Sequence, residues 1–233
     1  MLQIFASITQ RLRFPTVCLL CKQYQRDAQF ICKECLCLFK PIKYGCKYCA
    51  CPLPDAHFPV CGACSTKQPD FDRAIIAYPY EEPLRTLIHQ FKYQEKLYLV
   101  SFLSQLMLPF LKECDEIPQC LIPVPMHPQR LKQRGFNQAA VLTKSLAKKM
   151  HIPYQLQGCQ KIINTKPQAS LDKKQRAKNL RQAFTVNTLP YQHIALVDDL
   201  LTTGNTANEL AQAFKKKGVL RVDVWCCARA VLA

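Results

Sequence analysis

The chain has 233 residues, 49% of them apolar and only six glycine, and its 32 Lys and Arg against 16 Asp and Glu give a formal charge of +16. That composition excludes a disordered or fibrous chain, and no apolar run approaches the roughly 20 residues that span a bilayer. The length accommodates one ordinary domain and a smaller module, and the basic excess suits polyanions or phosphorylated ligands as well as plain solubility.

The first residues, MLQIFASITQRLRFPTVC, lack the charged, apolar and small-residue order of a signal peptide, which points to a cytoplasmic protein. Ten of the fifteen cysteines then fall between Cys18 and Cys64, and eight of them form four C-x-x-C pairs: Cys18/Cys21, Cys32/Cys35, Cys46/Cys49 and Cys61/Cys64. Two thiolates separated by two residues turn around one metal ion as a knuckle, and two knuckles complete the tetrahedral S₄ shell that Zn²⁺ prefers. The spacers, ten residues between Cys21 and Cys32 and eleven between Cys49 and Cys61, are each long enough for a hairpin. Disulfides do not suit the expected compartment, and a redox C-x-x-C normally occurs singly beside a βαβ pattern. The pattern therefore predicts two sequential Cys₄ zinc ribbons, both closed by four protein ligands and so structural, with the metal supplying much of the folding energy of so small a module. Eight thiolates and two Zn²⁺ bring the charge balance to about +12. Cys37 and Cys51 are surplus to the two sets, and Cys114, Cys120, Cys159, Cys226 and Cys227 are scattered in mostly apolar context. Tyr24, Tyr44, Tyr48 and Phe58, interleaved with Lys33, Lys40, Lys43 and Lys47, offer either base-stacking faces or the small core of the ribbons.

After Cys64 the polar stretch STKQPDFD marks a boundary, which gives a ribbon module over residues 1–66 and a second domain over 70–233. In the second domain a strand is predicted at Arg73–Tyr80 and a helix at Pro83–Tyr93, whose Leu84, Leu87, Ile88 and Phe91 share one face. A helix at Leu97–Leu111 follows, then an apolar run ending at Pro125 and a helix over about Phe136–Met150. A segment through Tyr154–Ile163, a strand at Ile194–Val197, a helix at Thr206–Lys217 and a strand at Val219–Ala228 complete the chain. Strands alternating with helices imply an α/β fold with a mainly parallel sheet covered on both faces, and such sheets bind ligands beyond the carboxyl ends of their strands.

The segment His193–Thr206, HIALVDDLLTTGNT, lies at such an end. Gly204 permits a tight turn in which successive backbone N–H groups converge, and the following helix adds its N-terminal partial charge, so the loop can hold a phosphate. Thr202, Thr203 and Thr206 supply hydroxyls, and the paired carboxylates of Asp198 and Asp199 can accept from vicinal sugar hydroxyls. One loop thus offers groups complementary to a ribose 5-phosphate.

Two acidic residues after an apolar strand, two spacers and T-T-G-x-T resemble the phosphoribosyl-diphosphate (PRPP) motif of type I phosphoribosyltransferases. The resemblance implies that Asp198 and Asp199 bind the ribose hydroxyls and Thr202, Thr203, Gly204, Asn205 and Thr206 the 5-phosphate, with Mg²⁺ accompanying the diphosphate. The order of cysteine ribbons, IPVPMHPQRLKQRGFNQ at Ile122–Gln138, the basic stretch Asn164–Phe184 and the PRPP loop resembles the ComF family (ComFC and GntX-like proteins) along nearly the whole chain. That family implies a double zinc ribbon fused to a phosphoribosyltransferase-like domain associated with DNA uptake in natural transformation. It also implies a diphosphate loop, for which Val124–Arg134 is the candidate with Arg130 and Arg134 as cations. A loop that folds over the ligand is implied too, and Thr165–Asn179 is its candidate, with Lys166, Lys173, Lys174, Arg176 and Lys178. His127 near that diphosphate loop is a ligand candidate or a structural residue; Asn137 and Gln138 either cap a helix or touch ligand, and Phe136 reads as core. Thr202 stands where 6-oxopurine salvage enzymes have an Asp, which disfavours hypoxanthine or guanine as acceptor. Three classes of function remain at this point. One is a competence accessory protein that binds PRPP and single-stranded DNA, with other competence proteins as further partners. The others are a transferase for another nucleophile and a PRPP sensor without chemistry.

Overall fold

The computed structural model describes residues 16–25, 30–94, 96–163 and 183–231, so the candidate closing loop Thr165–Asn179 lies outside the described residues. The chain divides into two compact units, Met1–Lys40 and Pro41–Ala233.

In the first unit the strands β1 (Thr16–Val17) and β2 (Tyr24–Gln25) pair antiparallel, and α1 (Lys33–Leu36) is a single turn that starts on Cys32. The hairpin carries the Cys18/Cys21 knuckle between its strands, and the helical turn carries Cys35.

The second unit opens with the second cysteine group and α2 (Gly62–Thr66), then continues into the strands β3 (Arg73–Ile75) and β4 (Tyr78–Pro79). The helices α3 (Leu84–Tyr93) and α4 (Leu99–Lys112) follow, then β5 (Cys120–Pro123), α5 (Pro128–Arg134) and α6 (Gln138–Met150). Beyond them come β6 (Cys159–Lys161), β7 (Phe184–Val186), β8 (His193–Leu201), α7 (Asn205–Lys216) and β9 (Arg221–Arg229). The expected parallel sheet is present: its order is β3, β9, β8, β5, with β4 also alongside β9, and every pairing in it is parallel. β6 and β7 form a separate antiparallel pair.

The expected single strand at Arg73–Tyr80 is interrupted. Both of its halves pair with β9, but Ala77 between them accepts a hydrogen bond from the Ile42 amide at 2.7 Å, so an incoming segment occupies that carbonyl. The central strands β8 and β9 are buried on both faces, which explains their near-continuous apolar sequence. Successive side chains of a strand face opposite ways. Val222, Val224 and Cys226 accordingly join one core with Leu210, Ala211 and Phe214 of α7, while Cys227 meets Met107 of α4 at 3.4 Å on the other side. The helices α3 and α7 each bury residues spaced i, i+3, i+4, i+7: Leu84, Leu87, Ile88 and Phe91 in one, Ala207, Leu210, Ala211 and Phe214 in the other.

Val124–Arg134 is only partly a loop. Pro128 opens α5 at a position where its missing N–H costs nothing, and Gly135 closes it at φ +78°, a left-handed conformation that glycine takes without strain. Among the described residues no helix is long and apolar enough to cross a membrane.

Candidate functional site

The two cysteine groups assemble as the spacing demands. The Sγ atoms of Cys18, Cys21, Cys32 and Cys35 lie within 4.8 Å of one another, and so do those of Cys46, Cys49, Cys61 and Cys64. A tetrahedral shell with Zn–S near 2.3 Å has sulfur–sulfur edges of about 3.8 Å. The Cys21–Cys32 separation is 3.8 Å and the Cys49–Cys61 separation 3.6 Å, so both groups fit zinc. Burial raises the Cys18 thiol, but the amides of Cys32, Cys21 and Leu20 point at its sulfur and bring it down to about 6. The amides of Cys49, Cys61 and Tyr48 likewise bring Cys46 to about 7 against the effect of burial. Amide donors that favour a thiolate are what a metal knuckle requires. The second group is part of the main core, where Cys46, Cys49, Ala50 and Cys64 cluster with Phe71, Ala74 and the side chains between the sheet and α7.

Of the ribbon aromatics, Tyr24 and Phe58 are the exposed ones, at 79% and 57%. Tyr48 packs against the core and accepts a hydrogen bond from Gln68, while Lys47 and Lys43 lie over the rings of Tyr48 and Tyr44 at 4.9 and 5.1 Å.

Asp198 and Asp199 sit within β8, which runs four residues further than the apolar pattern suggests because Leu200 and Leu201 continue the pairing with β9. Asp199 is buried, and its Oδ1 pairs with Lys92 Nζ at 2.9 Å; its Oδ2 is buried without a hydrogen-bond partner among the described residues. Asp198 Oδ1 accepts from the Asp199 amide at 2.8 Å. Burial, and next the Asp199 carboxylate, push Asp198 up to about 8, with Lys92 and the Asp199 amide pulling the other way. Burial by itself depresses Lys92, but the charges of Asp199 and Asp198 outweigh it and hold the ammonium above its ordinary value.

Lys92 also reaches an open cavity of about 380 Å³ that it lines with Tyr93, Arg130, Gln133 and Arg134. The structure thus gathers the two expected arginines around a lysine that the sequence did not single out. The Arg134 guanidinium stacks over the Tyr93 ring at 4.8 Å and donates to Gln138 Oε1 at 2.9 Å, while Gln138 Nε2 donates to the Lys92 carbonyl at 3.4 Å. Gln138, almost fully buried, thereby ties the Arg134 guanidinium to the backbone at Lys92. Asn137 is a helix cap: its side chain accepts from the Ala139 amide at 3.0 Å and donates to the Val124 carbonyl at 3.1 Å. His127 caps α5 by accepting from the Gln129 amide. Phe136 is half-buried against Phe91.

Beyond β8, Thr202 and Thr203 are exposed, Gly204 takes φ +79° immediately before α7, and Thr203 Oγ1 accepts from the Asn205 amide at 3.4 Å. Asn205 opens α7 exposed and Thr206 is half-buried in its first turn. Thr202–Thr206 thus forms a tight turn with exposed threonines at its surface and a three-turn helix behind it. Thr202, Thr203 and Gly204 line a cavity of about 300 Å³ with residues of the second cysteine group, distinct from the arginine cavity.

No family model matches the sequence. The chain is 34% identical to competence protein F of Haemophilus influenzae over 209 residues, covering 86% of this chain and 90% of that protein. It is 32% identical over 226 residues to the DNA utilization protein YhgH of Escherichia coli K12, covering 94% and 99%. With the Bacillus subtilis competence protein ComFC it shares 26% over 226 residues, covering 87% and 90%. Full-length similarity at this level, in a chain with two Cys₄ groups ahead of a parallel α/β sheet, places the protein: it belongs to the ComF family.

Proposed function

We propose that this protein is a cytoplasmic accessory factor of competence and DNA uptake that binds PRPP with Mg²⁺ at the β8–α7 turn and single-stranded DNA on its basic surface. The observation that carries the reading is the near full-length similarity to proteins named for competence and DNA utilization, in a chain of formal charge +16. In this division of labour residues 1–66 act as the double zinc ribbon and 70–233 as the phosphoribosyltransferase-like domain.

For PRPP the supporting features are chemical. Asp199 Oδ2, buried without a partner among the described residues, wants a donor, which a ribose hydroxyl would provide. Thr202, Thr203 and Thr206 with the turn at Gly204 and Asn205 offer donors to a 5-phosphate, and Arg130, Arg134 and Lys92 offer cations to a diphosphate. Mg²⁺ would arrive with the diphosphate and offset its charge.

The test is anisotropy of a labelled oligonucleotide across salt, together with calorimetric titration of PRPP with Mg²⁺. DNA affinity is expected to fall with salt at a log–log slope of roughly −0.7 for each phosphate neutralised, with little dependence on base sequence. Absence of binding at low salt removes DNA as a direct ligand. Loss of binding on changing Lys33, Lys40, Lys43 and Lys47 to Ala puts DNA on the ribbons, whereas competition by PRPP puts it at the sheet edge. Unchanged PRPP affinity in an Asp198→Ala/Asp199→Ala double variant rules out the ribose contacts. Diphosphate release that depends on one added acceptor moves the assignment to a transferase.

A further inference from the structure

One side chain joins the second cysteine group to the start of the β8–α7 turn. Arg229, the last residue of β9, donates from Nε to the Cys49 carbonyl at 2.9 Å. Its Nη1 donates to the Leu201 carbonyl at 3.2 Å and also to the carbonyls of Thr202 and Ala230. Cys49 closes the first knuckle of the second group, and Leu201 and Thr202 are the residues where β8 gives way to the turn. Among the described residues no carboxylate lies within ion-pair distance of this guanidinium, so carbonyl oxygens alone hold it.

Other contacts weld the same two parts together. The cavity of about 300 Å³ is lined by Cys61 and Lys67 as well as by Thr202, Gly204 and Arg229. The Phe71 ring lies 3.6 Å from where a Cβ on Gly204 would stand, and the Asp70 amide donates to Asn208 of α7 at 3.0 Å.

We propose that Arg229 is a positioning residue that passes the geometry of the metal-filled second cysteine group to the Thr202–Thr206 turn, so that affinity for a 5-phosphate depends on zinc in that group and not in the first. The proposal rests on the PRPP reading above. Cys49 is one of the four residues that would hold zinc, and a bound metal would restrain its sulfur and with it the Cys49 carbonyl. The guanidinium is a rigid planar fork, so a fixed carbonyl at one edge fixes the carbonyls at the other. Those belong to the peptides that lead into the anion-holding amides, and pre-ordered donors bind without first losing conformational freedom. Without a metal the four sulfurs lose their common centre, and the chain from sulfur to turn then slackens.

The experiment compares the zinc-loaded full chain with Arg229→Gln, Arg229→Lys, Cys61→Ser and, as a matched loss in the other group, Cys21→Ser. Calorimetry uses PRPP, ribose 5-phosphate and inorganic diphosphate as separate probes, and amide hydrogen exchange reads the Thr202–Thr206 segment directly. Arg229→Gln is expected to keep two zinc ions and to bind PRPP and ribose 5-phosphate about tenfold more weakly, the loss of roughly one charge-assisted hydrogen bond. Its affinity for diphosphate, which meets Arg130 and Arg134, should not change, and the turn should exchange faster. Arg229→Lys, which keeps a cation and part of the donor set, should fall between. Cys61→Ser should reproduce the Arg229→Gln result, and Cys21→Ser should not; if Cys61→Ser fails to fold, the arginine variants decide. Equal losses for all three probes would reduce Arg229 to a general structural residue and overturn the proposal, as would unchanged exchange in Arg229→Gln. Should the wild-type protein bind neither PRPP nor ribose 5-phosphate, the PRPP reading falls, and exchange at the turn alone then supports or overturns the coupling.

Discussion

Lys92 and Asp199 form a largely buried pair, with side-chain exposures of 19% and 5%. Removing one member of such a pair leaves an uncompensated charge in a poorly solvated place, at a typical cost of about 3–5 kcal/mol, whereas neutralising both costs far less. Lys92→Met is therefore expected to destabilise the fold by about 3 kcal/mol in urea unfolding, and Lys92→Met/Asp199→Asn to recover much of that loss. A double variant no more stable than the single one would show that the pair is not coupled. Asp198 supplies a second test through pH. Its folded value of about 8 stands above the ordinary carboxylate value of 3.8, first because of burial and then because of Asp199. Between those values the folded protein holds a proton that the unfolded chain has released, so this group's contribution to stability falls as pH rises from about 4 to about 8. Relative to wild type, Asp198→Asn should accordingly be more stable at pH 8 than at pH 5, by on the order of 2 kcal/mol; an equal difference at both pH values would contradict the shift. The acidic pair was legible because two carboxylates after an apolar strand are conspicuous. Lys92 and Arg229 were not, since one reads as the polar face of an amphipathic helix and the other as a charge at a strand's end. Only the tertiary approach to Asp199 and to Cys49 gives them a role.

At the scale of elements, the turn between β8 and α7 depends on Gly204 for a conformational reason. A Cβ there would meet the Phe71 ring at 3.6 Å, an ordinary contact, so crowding is not the obstacle; the backbone at φ +79° is. Gly204→Ala should cost about 1–2 kcal/mol, and Gly204→Asn less, because an asparagine tolerates the left-handed region. A thermal unfolding series would show this order, and Ala equal to Gly would mean that the turn adopts another conformation in solution. The elements that sequence predicted well are those with a buried face. The periodic apolar residues of Leu84–Tyr93 and Asn205–Lys216 mark helices that pack, and their ends fall within a residue or two of expectation. Pro128–Arg134 buries no residue at all, so it has no apolar period to find; its only signals are Pro128 at the start and Gly135 at the end. The split of β3 from β4 depends on a donor from Ile42, more than thirty residues earlier, and no local pattern carries that.

For the whole molecule, the two cysteine groups look alike in sequence and differ in what they hold. The compositional break at residues 66–70 suggested one ribbon module ahead of one domain, but the compact units divide between Lys40 and Pro41. The reason lies in packing: Cys46, Cys49 and Cys64 belong to the same buried cluster as Leu196, Val224 and Phe214, and the Ala74 amide of β3 donates to the Tyr48 carbonyl inside the second group's first knuckle at 2.6 Å. Loss of metal should therefore have unequal consequences. Wild type is expected to carry two zinc ions by elemental analysis, and a cysteine variant in either group one. In Cys21→Ser the vacated shell belongs to the small first unit, whose strands are two residues long and are expected to take their order from the metal, so the main thermal transition of Pro41–Ala233 should hardly move. In Cys61→Ser the second group's sulfurs lose their common centre within the core of the larger unit. A destabilisation of about 2–3 kcal/mol there lowers the midpoint by some 4–12 °C for a domain of this size. Calorimetric scans of the two variants at matched zinc content separate the cases. Equal midpoints would mean that the second group, despite its burial among sheet residues, contributes no more to the larger unit than the first does. A shift confined to Cys61→Ser would show that the metal in the second group stabilises the sheet itself.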